Sequence, residues 1–248
     1  MSYKEIKGNL FASNAMALVN TVNCIGDMGK GIALEFKLRY PVMFQKYHVD
    51  CKAKRLKPGG VFTYPQKNGP LILNFAIKDD WHQPSKVEWV ESSLAQFAAH
   101  YKVRQVTSIA FPWMGAENGG IDLSIIKQLT RKYLQNLEDI EIEVYDYDPK
   151  AREPLFDKLT LIAAKDAAPV DLYSAVKKRL IPLGIDLKIK ERQFSKMLEL
   201  VRGEKIFNLV SFLRVDGIGS TTVTDLYQVL TALSVQDISN LHVQSGLI

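Results

Sequence analysis

Residues 17 to 40 of the chain read ALVNTVNCIGDMGKGIALEFKLRY. The apolar run from Ala17 to Asn20 predicts a short buried strand, and the spacing from Gly31 to Tyr40 predicts a helix that Pro41 ends. A loop that contains glycines joins the two. The first turn of a helix has unpaired backbone N–H groups and a partial positive charge, and glycines just before it let an anion approach the backbone closely. This stretch therefore predicts an α/β unit with an anion-binding loop.

A second stretch repeats this arrangement. Residues 112 to 122 read PWMGAENGGID, between a strand predicted at 106–111 and a helix predicted at 122–137. Strands of an open α/β sheet end at a common edge where ligands bind, so we expect the two loops to face one crevice, and two anion-binding loops suit a diphosphate. Each loop alone is equally well explained as a tight structural turn, and neither has the spacing of a P-loop or of a GxGxxG fingerprint.

Strand and helix signals alternate as far as Pro149. The remaining periodic segments predict strands at 61–64, 71–77 and 140–147 and helices at 43–54 and 84–101. This alternation predicts an α/β domain, at residues 1–150, in which helices cover both sides of a mixed sheet.

The pattern changes after Pro149. Helical periodicity predicts helices at 170–180, 191–202, 205–213 and 221–233. We therefore expect a small all-helical domain at residues 155–248, after a linker at 148–154. Within it, residues 215 to 220 read VDGIGS, which is typical of a helix-hairpin-helix element that contacts a DNA phosphate through backbone N–H groups. A helix–helix turn with Ser220 or Thr221 as N-cap gives the same string.

Composition and charge narrow the class of protein. The 248 residues carry a net charge of +5 and a pI of about 9.0, which is compatible with a polyanionic partner without proving one. The densest basic stretch, Lys46 to Lys57, fits a solvated helix face or, alternatively, a phosphate-contacting rim. Two cysteines and four scattered histidines form neither a disulfide framework nor a metal-ligand pattern, and no apolar run is long enough for a membrane span or a signal core. We expect a cytoplasmic protein with no metal, no cofactor and no membrane contact.

Lys78 follows the strand predicted at 71–77, which places its ammonium at the same sheet edge as the two loops. The ordinary alternative is a surface lysine after a strand. Trp81 and His82 come next along the chain. Trp81 either covers a bound ribose or packs in the core, and His82 fits a surface position better than the position of a catalytic base.

The order of these motifs resembles that of the macrodomains, and within them the DarG-type DNA ADP-ribosyl glycohydrolases, antitoxins of DarT-type DNA ADP-ribosyltransferases. The resemblance covers about residues 1 to 148. It implies a three-layer α/β/α sandwich that binds ADP-ribose. The segments that carry it are Gly8 to Leu10, Ala17 to Asn23, Met28 to Ala33, Asn74 to Trp81 and Gly115 to Asp122.

The resemblance also implies roles for individual residues. Asn9, followed by Leu10, stands where the family usually has an aspartate that reads the adenine amino group. Asn20 and Asn23 stand where family members position the distal ribose, and Lys78 matches the catalytic lysine of this branch. The residues that match the two phosphate loops are Gly29, Lys30, Gly31, Ile32, Gly115, Asn118, Gly119, Gly120 and Ile121.

Hydrolysis of ADP-ribosyl groups from DNA, with Lys78 as the reacting residue, is the function that the resemblance implies. Two departures from the family pattern keep alternatives open. Glu117 puts a negative charge beside the expected diphosphate, and Gly119 stands where a related human enzyme has an acid/base aspartate. The alternatives are a reader that binds ADP-ribose without turnover and a hydrolase that acts on protein or on O-acetyl-ADP-ribose. By the same resemblance, the helical domain would bind a DarT-like toxin.

Overall fold

The computed structural model describes residues 2–66, 69–116, 118–151 and 153–241. The chain divides into two compact units, Met1–Ala151 and Arg152–Ile248. Each unit has its own buried core and is described separately below. Within the described ranges, no helix combines the length and the apolar character that crossing a membrane requires.

The first unit is a sheet of six strands with helices between them. Its strands are β1 (Ser2–Gly8), β2 (Ala17–Val22), β3 (Val61–Tyr64), β4 (Leu71–Ala76), β5 (Ser108–Pro112) and β6 (Glu141–Tyr147). Its helices are α1 (Gly31–Arg39), α2 (Pro41–Lys52), α3 (Val87–His100) and α4 (Leu123–Leu134), and a short 3-10 helix spans Leu10–Ala12.

The strands lie in the order β1-β6-β5-β2-β4-β3. The pairs β1–β6, β5–β6, β2–β5 and β2–β4 are parallel, and β3 runs antiparallel to β4. The predicted mixed sheet is therefore confirmed. Because β2, β4 and β5 are adjacent and parallel, the loops that follow them leave the same edge of the sheet.

Helices cover both faces of this sheet, as the sequence predicts for a three-layer sandwich. On one face Phe75 and Phe111 pack against Phe97 of α3, and the Phe97 and Phe111 rings meet edge to face with centroids 5.4 Å apart. On the other face Phe36 of α1 and Tyr47 of α2 are fully buried among the strand residues of the opposite cluster. Burial of these aromatic side chains on both faces fixes the sheet between the helices.

The second unit is helical. It consists of α5 (Pro154–Ala163), α6 (Pro169–Leu180), α7 (Glu191–Arg202), α8 (Ser220–Ala232) and α9 (Val235–Ser239), with 3-10 helices at Ile181–Leu183 and Leu209–Arg214. Arg202 stabilises it by donating to the carbonyl oxygen of Ala163, the last residue of α5, and to those of Lys165 and Ala167 in the segment that follows.

Several predicted boundaries are wrong, each for a local reason. Strand β1 was not predicted. It lies at the edge of the sheet, and most of its residues are exposed or half-buried, so they lack the alternation of buried and exposed positions that predicts a strand. Helix α5 begins within the predicted linker, since Pro154 occupies the first turn of a helix, where proline is favoured. The helix predicted at 205–213 is only the 3-10 helix Leu209–Arg214, capped by Asn208. The N-cap of α8 is Gly219, rather than Ser220 or Thr221.

Candidate functional site

The two glycine-containing loops meet at the carboxyl edge of β2, β4 and β5. We call residues 23–31 the first loop, residues 113–121 the second loop and residues 77–86 the connecting segment. A Cβ added to Gly31 would lie 2.8 Å from Nδ2 of Asn118, so the two loops touch. Lys78 Nζ donates to the Asn118 carbonyl at 2.7 Å. The structure thus brings Lys78 and both loops together at the sheet edge where the sequence predicts a crevice.

The connecting segment is bonded to both loops. The Cys24 N–H donates to the carbonyl of Asp79 at 2.9 Å, which ties the segment to the first loop. The Ser85 N–H donates to the carbonyl of Gly119 at 2.9 Å, which ties it to the second loop. The three segments therefore form one hydrogen-bonded frame around Lys78.

Asn23 organises the first loop from inside. Its Oδ1 accepts from the backbone N–H groups of Ile25, Gly26 and Asp27 at 3.1, 3.0 and 3.3 Å, and its Nδ2 donates to the Asp27 carbonyl at 2.7 Å. The Tyr47 hydroxyl of α2 donates to the Asn23 carbonyl at 2.9 Å. The predicted contact of Asn23 with the distal ribose stays a prediction, and what the structure adds is that this side chain shapes the loop.

Asn20 lies below the crevice and is fully buried. Its Nδ2 donates to Oδ1 of Asn74, the residue beside it in the parallel register, at 2.9 Å. Among the described residues no donor lies within hydrogen-bond distance of Asn20 Oδ1. Asn74 was not predicted as a site residue, although an asparagine inside the apolar strand LILNFA was a visible signal.

Asn9 and Leu10 lie where β1 ends. Asn9 is the N-cap of the 3-10 helix, and its Oδ1 accepts from the Phe11 N–H at 2.9 Å. Leu10 is buried in the same cluster as Phe36. The predicted adenine contact of Asn9 stays a prediction, and it would use the second lone pair of an oxygen that already has one donor.

The phosphate-loop residues of the first loop are exposed at the start of α1. Gly29, Lys30 and Gly31 are exposed, and Ile32 is half-buried. Lys30 is the N-cap residue of α1, and its side chain makes no capping hydrogen bond. The N–H groups in the first turn of a helix are suited to an anion.

The second loop turns back on itself. Gly115 and Gly120 have φ values of +81° and +74°, which favour glycine, and the Ile121 N–H donates to the Gly115 carbonyl at 3.1 Å. A Cβ added to Gly119 would lie 2.3 Å from the Gly115 oxygen, so the backbone there admits only glycine. Asp122 is the N-cap of α4 and accepts a hydrogen bond from the Ser124 N–H at 2.7 Å.

Glu117 lies outside the described residues, and its predicted effect on the diphosphate stays a prediction. Trp81 is 48% exposed, so the alternative that it packs in the core is wrong. His82 is exposed, as predicted.

Lys78 is the residue for which the sequence predicts the reacting role. Burial lowers the pKa of its ammonium below the ordinary value of 10.5, which increases the share of neutral amine at a given pH. Cys24 lies nearby in the first loop, but burial raises the pKa of its thiol to about 12, so it is not a thiolate at neutral pH. In the described ranges no three His, Cys, Asp or Glu side chains come together as metal ligands.

Comparison with known proteins gives concordant matches. The Macro domain family model matches residues 19–130. A DNA ADP-ribosyl glycohydrolase from Thermus aquaticus is 38% identical over 188 residues, which is 72% of this chain and 51% of the relative. The chain thus spans about half the length of this curated relative. The match covers a larger share of the chain than the first unit contains, so it continues into the second unit.

Solved structures are also similar to the chain, and two of them have related sequences. The macrodomain of Mycobacterium tuberculosis DarG is 38% identical and superposes with a TM-score of 0.55. The alignment covers 57% of this chain and 95% of that one. Thermosipho africanus DarTG in complex with ADP-ribose is 29% identical, with a TM-score of 0.56, covering 60% of this chain and 42% of that one.

Proposed function

Because the chain belongs to the macrodomain family, we propose that its first unit binds ADP-ribose and hydrolyses ADP-ribosyl groups from DNA. The observation that carries this proposal is the contact between the two loops at Lys78, where the Gly31 Cβ position lies 2.8 Å from Asn118 and Lys78 donates to the same residue. Such a crevice suits a pyrophosphate held by backbone N–H groups from two sides. The relatives support it, since one is a DNA ADP-ribosyl glycohydrolase and another was solved with ADP-ribose.

In this proposal the ligand lies across both loops. Gly29, Lys30, Gly31 and Ile32 would contact the diphosphate from one side, and Gly115, Asn118, Gly119, Gly120 and Ile121 from the other. Asn9 and Leu10 would lie at the adenine end, and Asn20 and Asn23 would support the distal ribose. Fixing the diphosphate brings C1 of the distal ribose next to Lys78, which lowers the entropic cost of the reaction.

Lys78 would then act on that carbon. As a nucleophile, its neutral amine bonds to C1 of the distal ribose while the bond from C1 to the acceptor atom breaks and the acceptor takes up a proton from the amine. The ring then opens at the bond from C1 to the ring oxygen, which takes the second amine proton, and an imine joins Lys78 to C1. Water then cleaves the lysine–ribose bond, which releases ADP-ribose and restores the amine. As an electrostatic group, the ammonium instead stabilises the leaving acceptor while water attacks the oxocarbenium-like carbon.

Turnover of defined substrates tests this function. The substrates are an oligonucleotide with one ADP-ribosylated base, a protein ADP-ribosylated on a carboxylate, and O-acetyl-ADP-ribose, with released ADP-ribose measured by mass spectrometry. We expect release from the oligonucleotide to be the fastest. If calorimetry shows that ADP-ribose binds but no substrate is turned over, the protein is a reader and the hydrolase proposal is wrong.

For the second unit we propose a contact with DNA through the turn at residues 215–219. Ile218 is buried, whereas a Cβ added to Gly217 or Gly219 would meet nothing within 4 Å, so the backbone of the turn is accessible. Gln193 Nε2 and Lys196 Nζ of α7 hold the turn by donating to the Gly217 and Asp216 carbonyls at 2.7 and 2.8 Å. This arrangement is suited to a DNA phosphate.

Replacement of Gly219 by glutamate tests that contact, because it adds a negative charge at a residue with an ordinary φ of −99°. We expect the affinity of the full chain for duplex DNA to fall about threefold or more at low salt and to depend less steeply on salt. Gly219→Ala is the uncharged control and should bind as wild type does. Equal binding by Gly219→Glu would contradict the DNA contact and favour the other role proposed for this unit, docking of a DarT-like transferase.

A further inference from the structure

Two exposed rings follow Lys78 in the connecting segment. The centroids of the Trp81 and His82 rings lie 3.5 Å apart at an interplanar angle of 27°, so the rings are stacked. Trp81 is 48% exposed, whereas the other two tryptophans of the chain, Trp89 and Trp113, are half-buried. The two exposed rings follow the proposed reacting group by three and four residues, so besides covering the ribose they are candidates for a contact with the acceptor.

This ring pair is held in place without a ligand. The His82 backbone N–H donates to Oδ1 of Asp80 at 2.9 Å, and His82 Nδ1 lies 2.7 Å from the same oxygen. These bonds, from the backbone of His82 first and then from its side chain, hold the pKa of the Asp80 carboxyl below its ordinary value. On either side, Asp79 is bonded to the first loop and Ser85 to the second. The pair is therefore preorganised relative to Lys78.

We propose that the Trp81–His82 pair stacks against the unpaired base of the acceptor nucleotide. This inference rests on the proposed function and deepens it by assigning two residues of this chain to the acceptor side of the substrate. The bond to be broken joins the distal ribose to its acceptor, so the acceptor must lie beside Lys78, three residues before Trp81. A nucleobase has a π face that can stack on these rings, whereas an aliphatic carboxylate acceptor has none.

Charge around the pair favours recognition of the base over recognition of the phosphate. Asp79 is exposed and Asp80 is half-exposed, so two carboxylates lie between Lys78 and the rings along the chain. These carboxylates oppose the attraction of the Lys78 ammonium for a phosphate at this place. Contact through the base face avoids that repulsion and is available in an unpaired strand, where the base is not stacked within a duplex.

The test uses the full chain and the singly ADP-ribosylated oligonucleotide. For Trp81→Ala we expect the KM for the oligonucleotide to rise about tenfold, since loss of one base–aromatic stack weakens binding by about that factor. The Kd for free ADP-ribose, measured by calorimetry, should not change. Trp81→Phe retains a ring, so its KM should return close to the wild-type value. Because Trp81 is exposed, both variants should unfold at the wild-type temperature.

Three results would overturn the inference in distinguishable ways. If the wild type binds ADP-ribose but releases none from DNA, the glycohydrolase function fails and the base contact fails with it. If the wild type is active and Trp81→Ala has an unchanged KM, only the base contact fails. If Trp81→Ala raises the Kd for free ADP-ribose by the same factor as the KM for the oligonucleotide, the ring covers the ribose and does not recognise the base.

Discussion

Replacement of Lys78 by alanine is expected to slow release of ADP-ribose from DNA by about a hundredfold or more, since it removes the group that acts on the reacting carbon. The affinity for free ADP-ribose should stay within about threefold of wild type, because the diphosphate contacts come from backbone N–H groups of the two loops. Single-turnover assays and calorimetry on the same preparation measure both quantities. Release at the wild-type rate by Lys78→Ala would exclude Lys78 from the chemistry.

Lys78→Arg separates the two roles that Lys78 could have. A guanidinium keeps the positive charge and can still donate to the Asn118 carbonyl, but it does not form a bond to C1 of the ribose. If Lys78 is the nucleophile, Lys78→Arg should be as slow as Lys78→Ala, and borohydride should trap an ADP-ribose adduct on the wild-type lysine. Substantial activity of Lys78→Arg with no adduct would assign Lys78 the electrostatic role.

The pH dependence of the rate separates the same two roles of Lys78 by an independent measurement. Burial lowers the pKa of Lys78 below 10.5. A nucleophile must be neutral, so its rate rises with pH as the ammonium loses its proton and levels off above that lowered pKa. An electrostatic group must be charged, so its rate falls over the same range. A profile of kcat between about pH 6 and 10 therefore shows which protonation state of Lys78 is active.

Much of the site could be predicted from the sequence because its signals are local. A strand, a glycine-containing loop and the start of a helix occupy consecutive residues, both at Ala17–Val22 followed by α1 and at Ser108–Pro112 followed by α4. That the two loops would meet also followed from a general rule, the common carboxyl edge of parallel strands. Lys78 could be placed there for the same reason.

What could not be predicted depends on partners far apart in sequence. The ribose contacts of Asn20 and Asn23 stay predictions. What the sequence did not give is that the Asn23 carbonyl accepts from Tyr47, on a helix whose orientation the sequence does not give, and that Asn20 donates to the buried Asn74 on the neighbouring strand. The contact between Gly31 and Asn118 likewise joins two loops that only the folded sheet brings together.

Replacement of Gly119 by alanine is expected to weaken ADP-ribose binding by about a hundredfold, since it removes one side of the diphosphate site. The added Cβ would lie 2.3 Å from the oxygen and 2.5 Å from the Cα of Gly115, and both are backbone atoms that cannot rotate away. The second loop must therefore open. That movement also disturbs the bond from Ser85 to the Gly119 carbonyl and the neighbouring bond from Lys78 to the Asn118 carbonyl.

Gly69→Ala is the matched control, because a Cβ there makes an ordinary contact of 3.5 Å with Gln66. Calorimetry should show unchanged ADP-ribose affinity for this variant, and thermal unfolding should show that both variants fold. The comparison isolates the backbone shape of the second loop from any general effect of adding a methyl group. Were a folded Gly119→Ala to bind ADP-ribose as tightly as Gly69→Ala, the second loop would not hold the diphosphate, and the crevice between the loops would lose its proposed ligand.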